Sequence, residues 1–265
     1  MASSNAAKSA SRREQLRAAR EREAAAARRK RIIIVTVVVV IIAALVAVIA
    51  MAASGVFSSK SGSSTKGTAT TVSVRPPNAS PGDKGVFSAD NTNNSAPVLT
   101  VVDDFQCPAC HQYETVYGPV FESLAKKGEI RLEYRTRYFL DINLKNDSSV
   151  RAARAAAIAD TFGKYQEYHD TVFSNQPAKE GTGYTDDQLR NAFPQAAGIT
   201  GDDLAKFQSS YDKGEMNAFV DAVDRQAQAD GYNGTPTFLA NDRKIDMPRK
   251  TNPTEDDIMK LVRGV

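Results

Sequence analysis

The sequence contains few residues that can bind a transition metal. Its 265 residues include two cysteines, two histidines and no tryptophan. Cys107, Cys110, His111 and His169 are therefore the whole supply of soft ligands. The two histidines are 58 residues apart along the chain, and the sequence favours no metal site.

The sequence also lacks an excess of positive charge outside its N-terminus. Residues 1–31 contain ten Lys or Arg and three Glu, whereas the remaining residues carry 24 basic and 28 acidic side chains. Nucleic-acid binding needs a basic surface that can neutralise phosphates. The charge distribution therefore excludes nucleic acid as the expected partner of the main domain.

One long apolar run stands out, at residues 32–53. Its only mildly polar side chain is Thr36, and a helix of this length spans roughly 33 Å, enough to cross a bilayer. The basic residues 28–31 precede it, and the positive-inside rule then keeps the N-terminus cytoplasmic. We expect a basic cytoplasmic tail (1–31), a transmembrane signal anchor (32–53) and an extracytoplasmic catalytic domain on a single-pass protein of the cell membrane. A signal peptide cleaved near Ala50-Met51-Ala52 is the alternative.

A flexible extracytoplasmic linker is predicted for residues 54–84, which are rich in Ser, Thr, Gly and Lys and lack hydrophobic periodicity. The folded part then reads as a buried strand (97–103), an amphipathic helix and an alternating strand (130–138). The arginines 131, 135 and 137 of that strand are expected to be solvated, close to a sheet edge. Helical patterns fill residues 147–230, and two short strands and a helix (254–263) follow.

The two cysteines lie where the buried strand ends and the helix begins, in the sequence Cys107-Pro108-Ala109-Cys110. The exposed N–H groups and the dipole of a helix N-terminus stabilise a thiolate. Pro108 suits the first helical turn, where its missing N–H costs nothing. Cys110 lies on the same face as Cys107, close enough for the two sulfurs to form a disulfide. These residues predict a redox dithiol.

Together, the strand, the DFQCPAC sequence, the helix and the distant GTPTFLAN sequence resemble the DsbA-like family of the thioredoxin-fold superfamily. The resemblance implies an α/β thioredoxin fold (85–140 and 231–265) with an inserted all-helical domain (141–230). It also implies that Cys107 attacks and Cys110 resolves. Thr235 and Pro236 would bind substrate beside the dithiol, with Pro236 in the cis form. The cysteine pair would be the only redox group, without a further cofactor.

The same resemblance implies an extracytoplasmic protein thiol:disulfide oxidoreductase. Its partners would be exported proteins with free thiols or disulfides, and disulfide-forming oxidase activity is the main expectation. A membrane partner of the DsbB or vitamin-K-epoxide-reductase type would then reoxidise the dithiol. Reductase or isomerase activity on the same fold is the alternative.

Two positions depart from the family pattern. A buried acid that moves protons is common six residues before the first cysteine, where this chain has Val101. Asp104 matches a frequent acid three residues before the cysteine and is a candidate for proton transfer or tuning; Asp103 is an additional acid. Strong oxidants of the family have histidine where this chain has Ala109, so that we expect a less depressed Cys107 pKa here.

Two readings from other classes remain. Cys107-x-x-Cys110-His111 is the minimal motif for covalent c-type haem, with His111 as one axial ligand. A non-redox peptide-binding module is the other alternative. A purely structural disulfide is disfavoured, because closing so small a ring contributes little stability.

Overall fold

The computed structural model describes residues 74–264. The predicted tail, the membrane anchor and most of the linker lie outside these residues. Between Val74 and Gly264, no helix is both long enough and apolar enough to cross a bilayer.

A mixed five-stranded sheet forms the centre of the described region, in the order β1-β3-β2-β4-β5. β2 runs parallel to β3, and the pairs β1–β3, β2–β4 and β4–β5 are antiparallel. The strands are β1 (Val86–Phe87), β2 (Val98–Asp104), β3 (Arg131–Arg137), β4 (Thr237–Ala240) and β5 (Arg243–Ile245).

The helices fall into two sets, as the sequence pattern predicts. Helices α1 (Pro108–Lys126) and α8 (Glu255–Arg263) belong to the part of the chain that forms the sheet. Helices make up most of the segment between β3 and β4: α2 (Leu140–Leu144), α3 (Ser148–Ala159), α4 (Tyr165–Ser174), α5 (Phe193–Ala196), α6 (Gly201–Lys213) and α7 (Asn217–Ala229), with a 3₁₀ turn (Asp160–Phe162) and one π-helical turn (Gln188–Ala192). The architecture is a thioredoxin-like α/β fold with a helical insertion.

The two faces of β2 have different neighbours. Val101 pairs in register with Phe238 of β4, and the Phe238 ring packs against Tyr113 and Phe121 of α1. Since side chains alternate along a strand, Val101 and Asp103 both face α1. Thr100 and Asp104 face the opposite side of the sheet.

The prediction of a wet face on β3 is wrong. The strand lies between β1 and β2, and Glu133, Arg135 and Arg137 are all buried. Arg135 forms ion pairs with Glu133 at 2.8 Å and Asp242 at 2.6 Å, and Arg137 pairs with Asp224 at 2.9 Å. Burial of these charges is tolerated because each has an opposite charge and hydrogen bonds.

The ordered fold begins earlier than the predicted end of the linker at residue 84. Asn78 donates its backbone N–H and its side-chain amide to the Asp160 carboxylate, at 2.8 and 2.9 Å. Ala79 forms an isolated bridge with Val86, and Ser80 is buried. These contacts attach residues 78–80 to the folded domain.

Candidate active site

The junction of β2 and α1 places the two cysteines as predicted. Cys107 is the N-cap residue of α1, with an extended backbone, and Pro108 occupies the first helical turn. The Cys107 N–H donates to the Asp104 carbonyl oxygen at 2.9 Å, which closes the turn between strand and helix. The dithiol therefore lies at a helix N-terminus, where thiolate charge is stabilised.

Side chains of the helical insertion hold this turn in place. The Gln176 amide donates to the carbonyl oxygens of Phe105, at 2.8 Å, and Cys107, at 3.2 Å. The Tyr184 hydroxyl also donates to Phe105, at 2.7 Å. These contacts join the insertion to the dithiol across about 70 residues of sequence, and the sequence pattern did not predict them.

The two thiols differ sharply in their environment. A hydrogen bond from the Cys110 thiol lowers the pKa of Cys107; burial opposes it, and Thr235 and the N–H groups of Cys110 and Ala109 lower it further, to about 6. Cys110 is almost fully buried, and burial raises its pKa well above 9. The site therefore contains one reactive thiolate and one protonated thiol at neutral pH.

Thr235 and Pro236 lie beside the dithiol, as the resemblance implies. The peptide bond between them is cis. The Cys107 Sγ lies 3.5 Å from the Thr235 carbonyl oxygen. Two surface grooves of about 380 and 370 Å³ adjoin this position and share Ala109, Tyr113 and Arg249. Pro236 lines the second groove.

Asp104 is fully buried, and both of its carboxylate oxygens have donors. Oδ1 accepts from the Ser149 hydroxyl at 2.5 Å and the Gln106 N–H at 3.0 Å, and Oδ2 accepts from the Leu140 N–H at 3.2 Å. Burial raises its pKa to about 7 even though these hydrogen bonds lower it. Asp104 thus connects the end of β2 to the first residues of the insertion.

Asp103 lies in a separate group that we call the His169 cluster: Asp103, Glu114, His169 and Asp170. His169 is fully buried, and its Nε2 lies 2.8 Å from Asp103 Oδ2. Atoms of Glu114, His169 and Asp170 lie within 4.8 Å of one another. The sequence gives no sign of this pairing, since nothing local links His169 to Asp103, 66 residues earlier.

His111 lies on α1, next to Cys110, with a half-buried side chain. Haem attachment through this motif would place a macrocycle against both cysteines. Cys110 is packed in the core, so that a covalently attached macrocycle would have to displace the start of α1. The geometry therefore favours the dithiol interpretation.

Comparison with solved structures shows the same architecture. DsbG of Mycobacterium tuberculosis, a disulfide bond oxidoreductase in its reduced form, is 26% identical over 71% of this chain and 90% of that one, with a TM-score of 0.56. DsbA of the same organism is 25% identical over 62% and 86%, with a TM-score of 0.53. MdbA of Actinomyces oris, a thiol-disulfide oxidoreductase at 20% identity, covers 69% and 89% with a TM-score of 0.57 and shows the fold alone.

Among curated proteins, none matches this chain. The family model described as thioredoxin matches residues 92–262, about two thirds of the chain. That range contains strands β2 to β5, the helical insertion, both cysteines and the Thr235–Pro236 bond. The chain belongs to the thioredoxin family, and its architecture is that of the DsbA-like members.

Proposed function

We propose that this protein is an extracytoplasmic thiol:disulfide oxidoreductase that acts on exported proteins, chiefly as a disulfide-forming oxidase. The observation that carries the proposal is the asymmetry of the cysteine pair. Cys107 has a pKa of about 6, so that at pH 7 thiolate exceeds thiol by about ten to one. Cys110 stays protonated because it is buried. One residue is thus suited to attack and to leave, and the other to resolve.

The oxidase reaction begins with the Cys107–Cys110 disulfide. A substrate thiolate attacks the Cys107 Sγ, the Cys107–Cys110 bond breaks, and Cys110 leaves as a thiolate that takes up a proton. A second substrate thiolate then attacks the substrate sulfur of the mixed disulfide, and Cys107 leaves as a thiolate. The substrate has lost two electrons, and the cysteine pair has gained them.

The Cys107 pKa bears on the direction of exchange. A value of about 6 lies between the ~7 of thioredoxin and the ~3.5 of DsbA. A more stable leaving thiolate favours the reduced dithiol and hence oxidation of the substrate. The position of Ala109, where strong oxidants have histidine, accords with a moderate value. Reductase or isomerase activity is the second candidate.

The surface beside the dithiol suits an extended substrate. The groove of about 370 Å³ runs along Pro236, Thr237 and Phe238 and reaches Ala109 next to the cysteines. An unfolded segment that lies there could pair with the backbone at Thr235 while its cysteine reaches Cys107. We infer that Thr235 and Pro236 align the substrate thiol with the Cys107 sulfur.

The cellular setting of the proposal rests on residues 1–53. Their basic and apolar segments favour a single-pass membrane protein with the dithiol outside the cytoplasm. A quinone-linked membrane partner of the DsbB or vitamin-K-epoxide-reductase type would accept the two electrons and restore the disulfide. Exported proteins would fold near the membrane surface to which this domain would be attached.

Trapping of mixed disulfides tests the mechanism. Cys110→Ala should accumulate a mixed disulfide between Cys107 and a cysteine-containing peptide, because the resolving thiol is gone. Cys107→Ser should form none. Non-reducing electrophoresis and mass spectrometry measure the product after incubation with the peptide disulfide.

His111→Ala is the matched control, because it changes the neighbour of Cys110 and removes the side chain that the haem alternative would need as an axial ligand. It should exchange disulfides at a rate within about threefold of the unmodified protein. Loss of exchange in His111→Ala, or trapping by Cys107→Ser, would contradict the assignment.

A further inference from the structure

The mechanism leaves one proton without a path. Cys110 must lose or gain a proton each time the dithiol is made or broken, yet only 3% of Cys110 is exposed to solvent. The family position for a buried acid holds Val101, whose side chain packs in the core. Another group must move this proton, or Cys110 must exchange it slowly with water.

Asp103 lies on the same face of β2 as Val101, two residues closer to the cysteines. This displacement moves a side chain by roughly 7 Å along the strand. Asp103 is 1% exposed, and its Oδ1 has no hydrogen-bond partner among the described residues. Its charge is one of the causes that raise the pKa of Cys110. A buried carboxylate oxygen without a donor is costly, so Oδ1 is the position of Asp103 that is open to a proton.

The other carboxylate oxygen of Asp103 leads to the surface. Oδ2 accepts a hydrogen bond from His169 Nε2 at 2.8 Å, and His169 Nδ1 lies 3.6 Å from Asp170 Oδ1. The Asp170 side chain is 40% exposed. The His169 cluster therefore forms a row of titratable groups from buried Asp103 to Asp170 at the surface.

The groups around His169 keep it charged. Burial lowers the pKa of His169, but hydrogen bonds with Asp103 and Asp170 and the charges of Glu114 and Asp103 raise it to about 10. Burial also raises the pKa of Glu114, from α1, to about 7. Tyr134 of β3 and Tyr165 of α4, whose rings pack against His169, stay neutral because burial raises their pKa values well above 10.

We propose that Asp103 and His169 carry the Cys110 proton between the buried thiol and solvent at Asp170. When the disulfide breaks, charged His169 gives its Nε2 proton to Asp103 Oδ2, and the neutral Asp103 acid passes a proton to the Cys110 thiolate and becomes a carboxylate again. His169 regains its proton from water by way of Asp170. When the disulfide re-forms, each transfer runs in reverse, and the number of protons and electrons balances. This inference rests on the proposed function.

Resolution of a preformed mixed disulfide isolates the step. The full-length protein is loaded with glutathione on Cys107, and release of glutathione by Cys110 is followed from pH 5 to pH 10. Asp103→Asn, which keeps the side-chain shape, should slow release about 100-fold at pH 7, within the usual contribution of proton transfer. The rate should recover towards high pH, where hydroxide can remove the proton.

His169→Gln keeps a donor for Asp103 but cannot titrate, and it should slow release about tenfold at pH 7. Asp160→Asn is the matched control: Asp160 is also 1% exposed, but it hydrogen-bonds Asn78 instead of the cluster. It should release glutathione at the rate of the unmodified protein. Circular dichroism of each variant establishes that it is folded.

The outcomes separate the two proposals. If the unmodified protein releases glutathione but Asp103→Asn has the same rate and pH profile, the proton path is wrong and the proposed function stands. Equal slowing by Asp160→Asn also overturns the path, and an unchanged rate in His169→Gln removes His169 from it. If the unmodified protein never resolves the mixed disulfide, both proposals fail.

Discussion

Asp103 and Asp104 are neighbours in the chain, but they face opposite sides of the sheet and meet different surroundings. Both Asp104 oxygens accept hydrogen bonds from residues at the start of the insertion. Asp103 has a titratable partner, His169, on one oxygen, and within residues 74–264 its other oxygen has no hydrogen-bond partner. Asp104 is thus held by a complete set of donors, although burial makes its ionisation costly, whereas Asp103 keeps one oxygen open for the proton transfer that we propose.

The largest expected effect concerns the dependence of stability on pH at Asp104. Burial raises its pKa to about 7 from 3.8. Because the unfolded chain ionises first, the stability present below pH 4 is lost as pH rises through 7. A pKa difference of this size corresponds to on the order of 4 kcal/mol. Relative to the unmodified protein, the free energy of unfolding of Asp104→Asn should therefore rise by up to this amount between pH 4 and pH 8.

Urea unfolding at the two pH values measures this gain. The control is Asp147→Asn, since the Asp147 side chain is 69% exposed and needs no dehydration. The prediction is contradicted if the free energy of unfolding of Asp147→Asn rises by the same amount, or if that of Asp104→Asn does not rise. Asp104 would then be ionised in the folded protein at no cost.

A smaller effect is expected from Ser149→Ala, which removes the shortest hydrogen bond to Asp104. The loss of a donor to a buried carboxylate should reduce the free energy of unfolding by about 2 kcal/mol at pH 8. The loss should be smaller at pH 5, where Asp104 is protonated. Thermal and urea unfolding at both pH values measure the difference.

Ser149→Ala also tests whether the hydrogen bonds of Asp104, on one face of the sheet, affect proton transfer by the His169 cluster on the other face. Release of glutathione from Cys107 should keep its pH profile, because the His169 cluster is on the other side of the sheet. A profile shifted as in Asp103→Asn would mean that Asp104 takes part in proton transfer, as the sequence alone permitted.

The local parts of the site could be predicted from the sequence. A strand followed by Cys107-Pro108 at a helix start is a short-range pattern, and Thr254 begins α8 with a capping box, as its spacing to Asp257 permits. Thr235 beside Cys107 required the family resemblance, because 128 residues separate them.

The polar partners within the core could not be predicted. Alternation on β3 indicated one wet face, but the partners of Arg135 and Arg137 come from distant segments, at Asp242 and Asp224. Periodicity reports which side chains share a face; it does not report what covers that face. The pairing of Asp103 with His169 escaped prediction for the same reason.

The most direct test of the account is a titration of the reduced protein that follows thiolate absorbance near 240 nm from pH 4 to pH 10. The account predicts one thiolate with a midpoint near pH 6, absent in Cys107→Ser, while Cys110 stays protonated to above pH 9. Two thiols that both titrate near pH 9 would contradict the division of roles between the cysteines and, with it, the proposed mechanism.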